Sequence, residues 1–350
     1  MMKRIKINDK LVGEGQPCFI IAEAGVNHNG DITLARELIR AAGDAGADAV
    51  KFQTFKAEDL VSDNAEKAPY QKLNTPENES QIEMLKKLEL KNKDFKELSR
   101  YTGKRGMLFL STPFDMKSVD LLEEIGVPAY KVASGEINDL PLLTYIAQQH
   151  KPVILSTGMS TPGEIKDALM TIRREGTRNI VLLHCVSNYP TKMEDINLRA
   201  MATLRLAFKV PVGLSDHTLG ITVPIAAVAL GACVIEKHFT LDKKLSGPDH
   251  KASLEPGELK AMVKAIRDVE KAMGNGIKKP VPDEEQNKIA ARRSIVAQVV
   301  IPRGTVITRE MLAIKRPGSG LEPRYINSII GRKAKQNMKA GEEILLSKLI

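Results

Sequence analysis

Short apolar runs recur along the first three quarters of the chain, and most of them end in charged or hydroxyl residues. The runs 19–22, 49–52, 107–111, 129–133, 153–156, 180–185, 212–214 and 232–236 have the length and apolar character of buried strands. Between them, amphipathic stretches such as 34–45, 94–104, 118–125 and 226–230 carry helical spacing, and another, 258–273, follows the last run. Eight strand–helix units in that order predict an α/β fold, a (β/α)8 TIM barrel, with a doubly wound open sheet as the competing arrangement. Charged and metal-binding residues at most strand ends favour closure, because a closed barrel gathers those ends on one face.

Two stretches break the alternation. Residues 61–90 are polar and rich in Glu, Lys and Asn, with a short helix suggested at 84–88. This reads as an extended βα loop over the active face, against the plainer reading of a surface excursion. Gly274-Asn275-Gly276 ends the last helix, so the barrel domain is expected to span 1–275. Lys278-Lys279-Pro280-Val281-Pro282 marks a linker over 276–288. A small turn-rich domain, 289–350, follows, with a strand at 294–301, a turn at Pro302-Arg303-Gly304, and Gly318, Gly320, Gly331 and Gly341 as punctuation.

Composition narrows the class. Hydrophobic residues make up 43% of 350 residues, as in a soluble globular protein. No apolar run is long enough for a membrane helix, and the basic start, Met1-Met2-Lys3-Arg4, lacks the apolar segment of a signal peptide. Cys18, Cys185 and Cys233 each sit in an apolar run, which predicts buried reduced thiols and a cytoplasmic setting. The net charge of +9 is spread along the chain. With aromatics at 4% and no Trp, stacking platforms for nucleic acid are poorly supplied, so no nucleic-acid partner is expected. A solvated basic surface and an anionic small substrate both fit the charge.

The strand ends supply the candidate chemistry. Lys51 and Lys131 end apolar runs, where an ammonium needs an anionic ligand or an internal partner such as Glu23 or Glu136. A Schiff-base role for one of them is a further alternative. Thr112, Ser134, Ser156 and Ser215 close strands, where hydroxyls and loop N–H groups bind phosphate oxygens or cap helices. His217 and His238 follow the seventh and eighth strands, side by side in a barrel. Together they suit one divalent cation such as Mn²⁺ with oxygen ligands, or they are two metal-free imidazoles. His184 reads as structural, His28 and His250 as loop residues within reach of the site, and His150 as surface. Glu23, Glu136, Glu236 and Asp249 are candidates for proton handling or for orienting a sugar hydroxyl, unless Glu236 pairs with a strand-end lysine.

Taken in order, the motifs resemble the sialic acid synthase family over nearly the whole chain. They include Ala22-Glu23-Ala24-Gly25-Val26-Asn27-His28, Val50-Lys51-Phe52-Gln53-Thr54, Ser111-Thr112-Pro113-Phe114, Lys131-Val132-Ala133-Ser134-Gly135-Glu136, Ser156-Thr157-Gly158-Met159, Leu214-Ser215-Asp216-His217, Glu236-Lys237-His238 and Gly247-Pro248-Asp249-His250. The tail around Lys315-Arg316-Pro317-Gly318 resembles the family's antifreeze-like (SAF) domain.

The resemblance implies condensation of phosphoenolpyruvate (PEP) with N-acetylmannosamine to a nine-carbon 2-keto acid, making the chain an N-acetylneuraminate synthase. In such a reaction C3 of PEP attacks the open-chain aldehyde, water adds at C2, and phosphate leaves with C–O cleavage. On the same resemblance Lys51, Lys131, Ser134, Ser156 and Ser215 hold PEP, with Thr112 beside them. His217 and His238 carry Mn²⁺, or Mg²⁺ or Co²⁺ in its place. Glu23 transfers a proton or positions water, Gln53, Tyr189 and Asp249 grip the sugar, and Glu136 and Glu236 support. The resemblance further implies a domain-swapped homodimer in which Arg316 enters the partner's pocket. The alternative substrate is 2,4-diacetamido-2,4,6-trideoxymannose, which makes the chain an N,N'-diacetyllegionaminate synthase, and a phosphorylated hexosamine is a third. A Schiff-base aldolase is the alternative of another mechanism. A non-catalytic carbohydrate or ice-surface binder built on the tail is the alternative of another class.

Overall fold

Residues 4–350 are described in a computed structural model of the chain, which divides into two compact units meeting at Gly274 and Asn275. In the first unit, β1 (Ile5–Ile7) and β2 (Lys10–Val12) form an antiparallel hairpin. Eight parallel strands follow: β3 (Phe19–Gly25), β4 (Ala49–Thr54), β5 (Leu108–Pro113), β6 (Tyr130–Val132), β7 (Val153–Ser156), β8 (Ile180–Cys185), β9 (Val212–Asp216) and β10 (Val234–His238). They pair in the order β5-β4-β3-β10-β9-β8-β7-β6, and β5 packs against β6, so the sheet rolls into a TIM barrel.

Burial on both faces explains why these strands are continuous apolar runs. Alternate residues divide between two cores. Phe19, Ile21, Ala49, Leu110, Ala129, Ile154, Val181, Leu183 and Val234 fill the barrel interior, and Ile5, Ile7 and Val12 of the hairpin join them. Ile20, Ala22, Val50, Phe52, Leu155 and Leu182 face the surrounding helices. Those helices are amphipathic and capped by local sequence. Asp31 accepts from Thr33 N–H at the start of Ile32–Ala45, and Gly46 takes the left-handed conformation at its end.

Several elements run past the boundaries expected from apolarity. β3 extends to Gly25, β4 to Thr54, β9 to Asp216 and β10 to His238. Each extension is polar or small, so hydropathy ends too early while the backbone ladder continues. Within 61–90 the helix expected at 84–88 is longer, Gln81–Leu88, and a second helix, Pro69–Asn74, precedes it.

The second unit has its own core of Ile295, Ala297, Ile301, Ile307, Leu312, Ile329, Met338 and Ile344. β11 (Ser294–Ala297) pairs antiparallel with β12 (Leu312–Lys315). Within the stretch expected to be a linker, 276–288, a helix begins and spans Pro282–Ala291. Proline stands at its first turn, where a missing N–H costs nothing. Among the described residues no helix is long and apolar enough to cross a membrane.

Candidate active site

Counting two residues on from an inward-facing residue on each strand leads to one polar layer. Ile21 is followed by Glu23, Ala49 by Lys51, Leu110 by Thr112, Ala129 by Lys131, Ile154 by Ser156, Leu183 by Cys185, Gly213 by Ser215 and Val234 by Glu236. Strand periodicity requires this coincidence, since residues i and i+2 share a face. All of the second members line a single cavity of about 440 Å³ at the carboxyl ends of the strands.

The charged groups of the layer are interlocked. Lys51 Nζ lies 2.9 Å from Glu23 Oε1 and 3.8 Å from Glu236 Oε2, and it donates to Thr112 Oγ1 at 3.1 Å. Lys131 Nζ lies 3.4 Å from Glu236 Oε1, which also accepts from Ser215 Oγ at 2.9 Å. The internal pairing weighed from sequence is therefore present, with Glu23 and Glu236 as partners. Polar capacity is left over, however. Glu23 Oε2, Glu136 Oε2, Ser156 Oγ and Glu236 Oε2 are buried without a hydrogen-bond partner. Buried polar atoms are normally satisfied, so a cluster of orphans marks a place where a ligand completes the network.

Burial sets the protonation pattern. It pushes Glu23 up to about 7, with Glu236 adding to the rise and Lys51 opposing it. Burial alone would drive Lys51 down, but Glu23 and Glu236 outweigh it and hold the ammonium above its ordinary value. Lys131 is lowered by burial despite Glu236. Glu236 is held below the carboxylate range, since Lys131 and Lys51 overcome its burial.

His217 and His238 face one another with ring centroids 5.4 Å apart. His217 Nδ1 donates to Val186 O at 2.8 Å, which fixes the tautomer and leaves Nε2 as a lone pair. Burial, then His217 and the neighbouring lysines, keep His238 neutral, and its Nδ1 is buried without a partner. Asp249 Oδ2 stands 3.9 Å from that Nδ1. Among the described residues no cluster of three or more His, Cys, Asp or Glu is spaced to hold a metal. Burial would lower His217, but Cys185 outweighs it and holds that imidazole above its ordinary value. The facing pair, one member with an orphaned nitrogen, fits a divalent ion whose other ligands are oxygens of water or substrate.

Tyr189 lies beside the histidine pair, 4.0 Å from the His217 ring and 4.8 Å from the Tyr70 ring, centroid to centroid. Gln53, Tyr189 and His238 also border an adjoining niche closed by Asp249, whose carboxyl is raised by burial to about 6. The 61–90 segment reaches the cavity through Tyr70, Gln71, Gln81 and Leu85, and Asn74 Nδ2 donates to Pro248 O at 2.9 Å.

Of the sequence candidates, Glu23, Lys51, Gln53, Thr112, Lys131, Ser134, Glu136, Ser156, Tyr189, Ser215, His217, Glu236 and His238 line the cavity, and Asp249 lines the niche. Arg316 is exposed on the second unit. His184 is structural, its Nε2 2.6 Å from Ile196 O. His28 and His250 turn away from the cavity, His28 accepting from Gly30 N–H and His250 meeting Thr240 and Asn29. Sequence reasoning missed Tyr70, Gln71, Ser187 and Cys185 as lining residues. Cys185 was legible by its phase on β8. Tyr70 offered only an aromatic ring in a polar loop of an aromatic-poor chain.

Residues 38–278 match the NeuB family and 292–350 the SAF domain. The chain is 52% identical to the N,N'-diacetyllegionaminic acid synthase of Campylobacter jejuni, over 93% of this chain and 98% of that one. It is 50% identical to the protein of the same name from Legionella pneumophila, over 97% of each. Among solved structures, the N-acetylneuraminic acid (sialic acid) synthetase of Leptospira borgpetersenii, in complex with citrate, superposes with a TM-score of 0.74. It is 38% identical and covers 82% of this chain and 95% of its own.

Proposed function

The chain belongs to the NeuB family, and we propose that it joins phosphoenolpyruvate to 2,4-diacetamido-2,4,6-trideoxymannose, giving a nine-carbon 2-keto acid and phosphate. The enzyme class is that of the PEP-dependent nonulosonic acid synthases, which are transferases. The observation that carries the reaction is the cavity floor, where two buried lysines stand among four hydroxyls beside two facing imidazoles. N-acetylmannosamine was the leading substrate on sequence grounds. Two relatives, at 52% and 50% identity, bear the legionaminate name and the solved structure at 38% bears the sialic acid name, which moves the deoxy sugar to the front.

Lys51, Lys131, Thr112, Ser134, Ser156 and Ser215 hold the phosphate and carboxylate of PEP by charge-assisted hydrogen bonds. C3 of PEP bonds to the aldehyde carbon of the open-chain sugar. Water adds at C2 of the PEP unit, and the C–O bond to phosphate breaks from the tetrahedral intermediate. Glu23, poised near neutrality, takes the proton from that water. Gln53, Tyr189 and Asp249 orient the sugar. His217 and His238 would hold a divalent ion such as Mn²⁺, which supplies Lewis acidity toward an aldehyde oxygen when bound. A homodimer in which Arg316 of one copy reaches the sugar in the other completes the proposal.

The test incubates the protein with PEP and Mn²⁺ and either sugar, following phosphate release and the mass of the keto acid. Product from the diacetamido sugar supports the reading. Product from N-acetylmannosamine alone moves the chain to sialic acid synthesis. Phosphate from neither rejects the assignment of the strand-end residues.

A further inference from the structure

Behind the histidine pair, on the opposite face of the same two strands, lies a sealed ion pair that the reaction does not use. Lys237 and Asp216 are both fully buried, with Lys237 Nζ 2.5 Å from Asp216 Oδ2. They are register partners on β10 and β9, and theirs is the last rung of that ladder. His217 and His238 come one residue later. At that level no β9–β10 backbone rung fixes the separation of the two strand ends.

The ion pair does. Asp216 Oδ1 accepts from Thr218 N at 3.0 Å and from Thr218 Oγ1 at 2.9 Å, closing a turn around His217. Lys237 Nζ also donates to Thr218 O. One ammonium, on the residue before His238, therefore grips the residues on both sides of His217. The His217 carbonyl is held as well, accepting from Thr191 N at 2.9 Å.

Energetics argue against stability as the reason for this arrangement. Taking a lysine and an aspartate wholly out of water costs several kcal/mol per ion, and an apolar pair of similar size is often as stable or more so. What an apolar pair lacks is direction. Three hydrogen-bond donors on one nitrogen fix the positions of fixed acceptors, and a packed methyl does not.

We propose that the Asp216–Lys237–Thr218 clamp is a positioning device that sets the spacing of His217 and His238 for one divalent ion. The inference rests on the reading of that pair as metal ligands. Lys237 and Asp216 touch neither substrate nor ion and act only through the backbone of their neighbours.

The experiment compares the full chain with Asp216→Leu/Lys237→Met, which replaces the pair by apolar side chains, and with Asp216→Asn, which keeps the shape and removes the charge. Free Mn²⁺ is titrated by electron paramagnetic resonance, thermal midpoints are recorded, and PEP binding is measured without metal. The expected result is a 10–100-fold loss of Mn²⁺ affinity, as found for groups that orient metal ligands, with PEP binding unchanged. Should the double variant not fold, Asp216→Asn gives the same reading. Unchanged Mn²⁺ affinity in folded variants overturns the clamp alone. A wild-type chain that binds no divalent ion overturns the metal reading, and the clamp with it.

Discussion

Glu23 and Lys51 are partners on adjacent strands, their charged atoms 2.9 Å apart and both nearly sealed from solvent. Glu23 is nonetheless poised near neutrality, because burial and Glu236 outweigh the lysine. A base of that kind is half charged at the pH where it works. kcat/KM should therefore rise with pH through about 7 as the carboxyl ionises. Glu23→Gln should lower kcat by about 10²–10⁴-fold and abolish that limb of the profile. A Glu23→Gln enzyme that keeps the limb would place the base elsewhere.

Lys131 and Glu236 offer a separation of stability from binding. Lys131→Met takes the nearer cation from the buried Glu236 carboxylate, leaving Lys51 at 3.8 Å, and should cost about 3 kcal/mol, read by urea unfolding. Lys131→Met/Glu236→Gln should recover most of that stability. It should not recover PEP binding, because the cation is still missing. If the double variant binds PEP as the wild type does, Lys131 is structural only.

Gly158 lies against two serine hydroxyls that line the cavity. A Cβ there would stand 2.3 Å from Ser187 Oγ and 2.8 Å from Ser134 Oγ, and Gly158 N–H donates to Ser134 Oγ at 2.9 Å. Gly158→Ala should displace Ser134 and raise KM for PEP by about tenfold, a change of roughly 1.4 kcal/mol. At Gly163, in the helix Pro162–Arg174, a Cβ would come no nearer than 3.7 Å to Thr161 Oγ1, an ordinary contact. Gly163→Ala should leave KM alone and stabilise by about 0.4–1 kcal/mol. Equal effects of the two changes on KM would remove Ser134 from the site.

His28 should make the barrel acid-sensitive. Burial lowers it from 6.5 to about 4, its Nδ1 accepts from Gly30 N–H, and its Nε2 has no partner. Between those values the unfolded chain binds a proton that the folded one does not, so stability rises with pH across this window. The contribution is full above 6.5 and fades as pH falls toward 4. From pH 7 to about 4.5 it amounts to roughly 2.5 kcal/mol. His28→Asn should lose about that much less over the same interval in denaturant unfolding. Parallel curves for the two proteins would assign the acid sensitivity to other groups.

Much of the site was legible before folding was considered. Eight apolar runs with polar termini specify parallel strands buried on both faces, and period-two alternation places Glu23, Lys51, Lys131, Ser215 and Glu236 in one layer. This information is local, because a strand's side-chain phase is a property of the strand. The strand ends after β3, β4, β9 and β10 were harder to read, since backbone hydrogen bonds continue where hydropathy stops. The helix Pro282–Ala291 was hidden for a related reason: it has no buried residue, so no apolar stripe announces it.

The sequence by itself determined the barrel, the ring of candidate groups and the order in which they meet. Only the tertiary structure decided who pairs with whom. Lys51 takes Glu23, Lys131 takes Glu236, His28 and His250 turn away, and Tyr70 comes from a distant loop to stack on Tyr189. Those choices depend on distances between strands that are remote in the chain. They also depend on desolvation, which exists only once the whole barrel has closed around the charges.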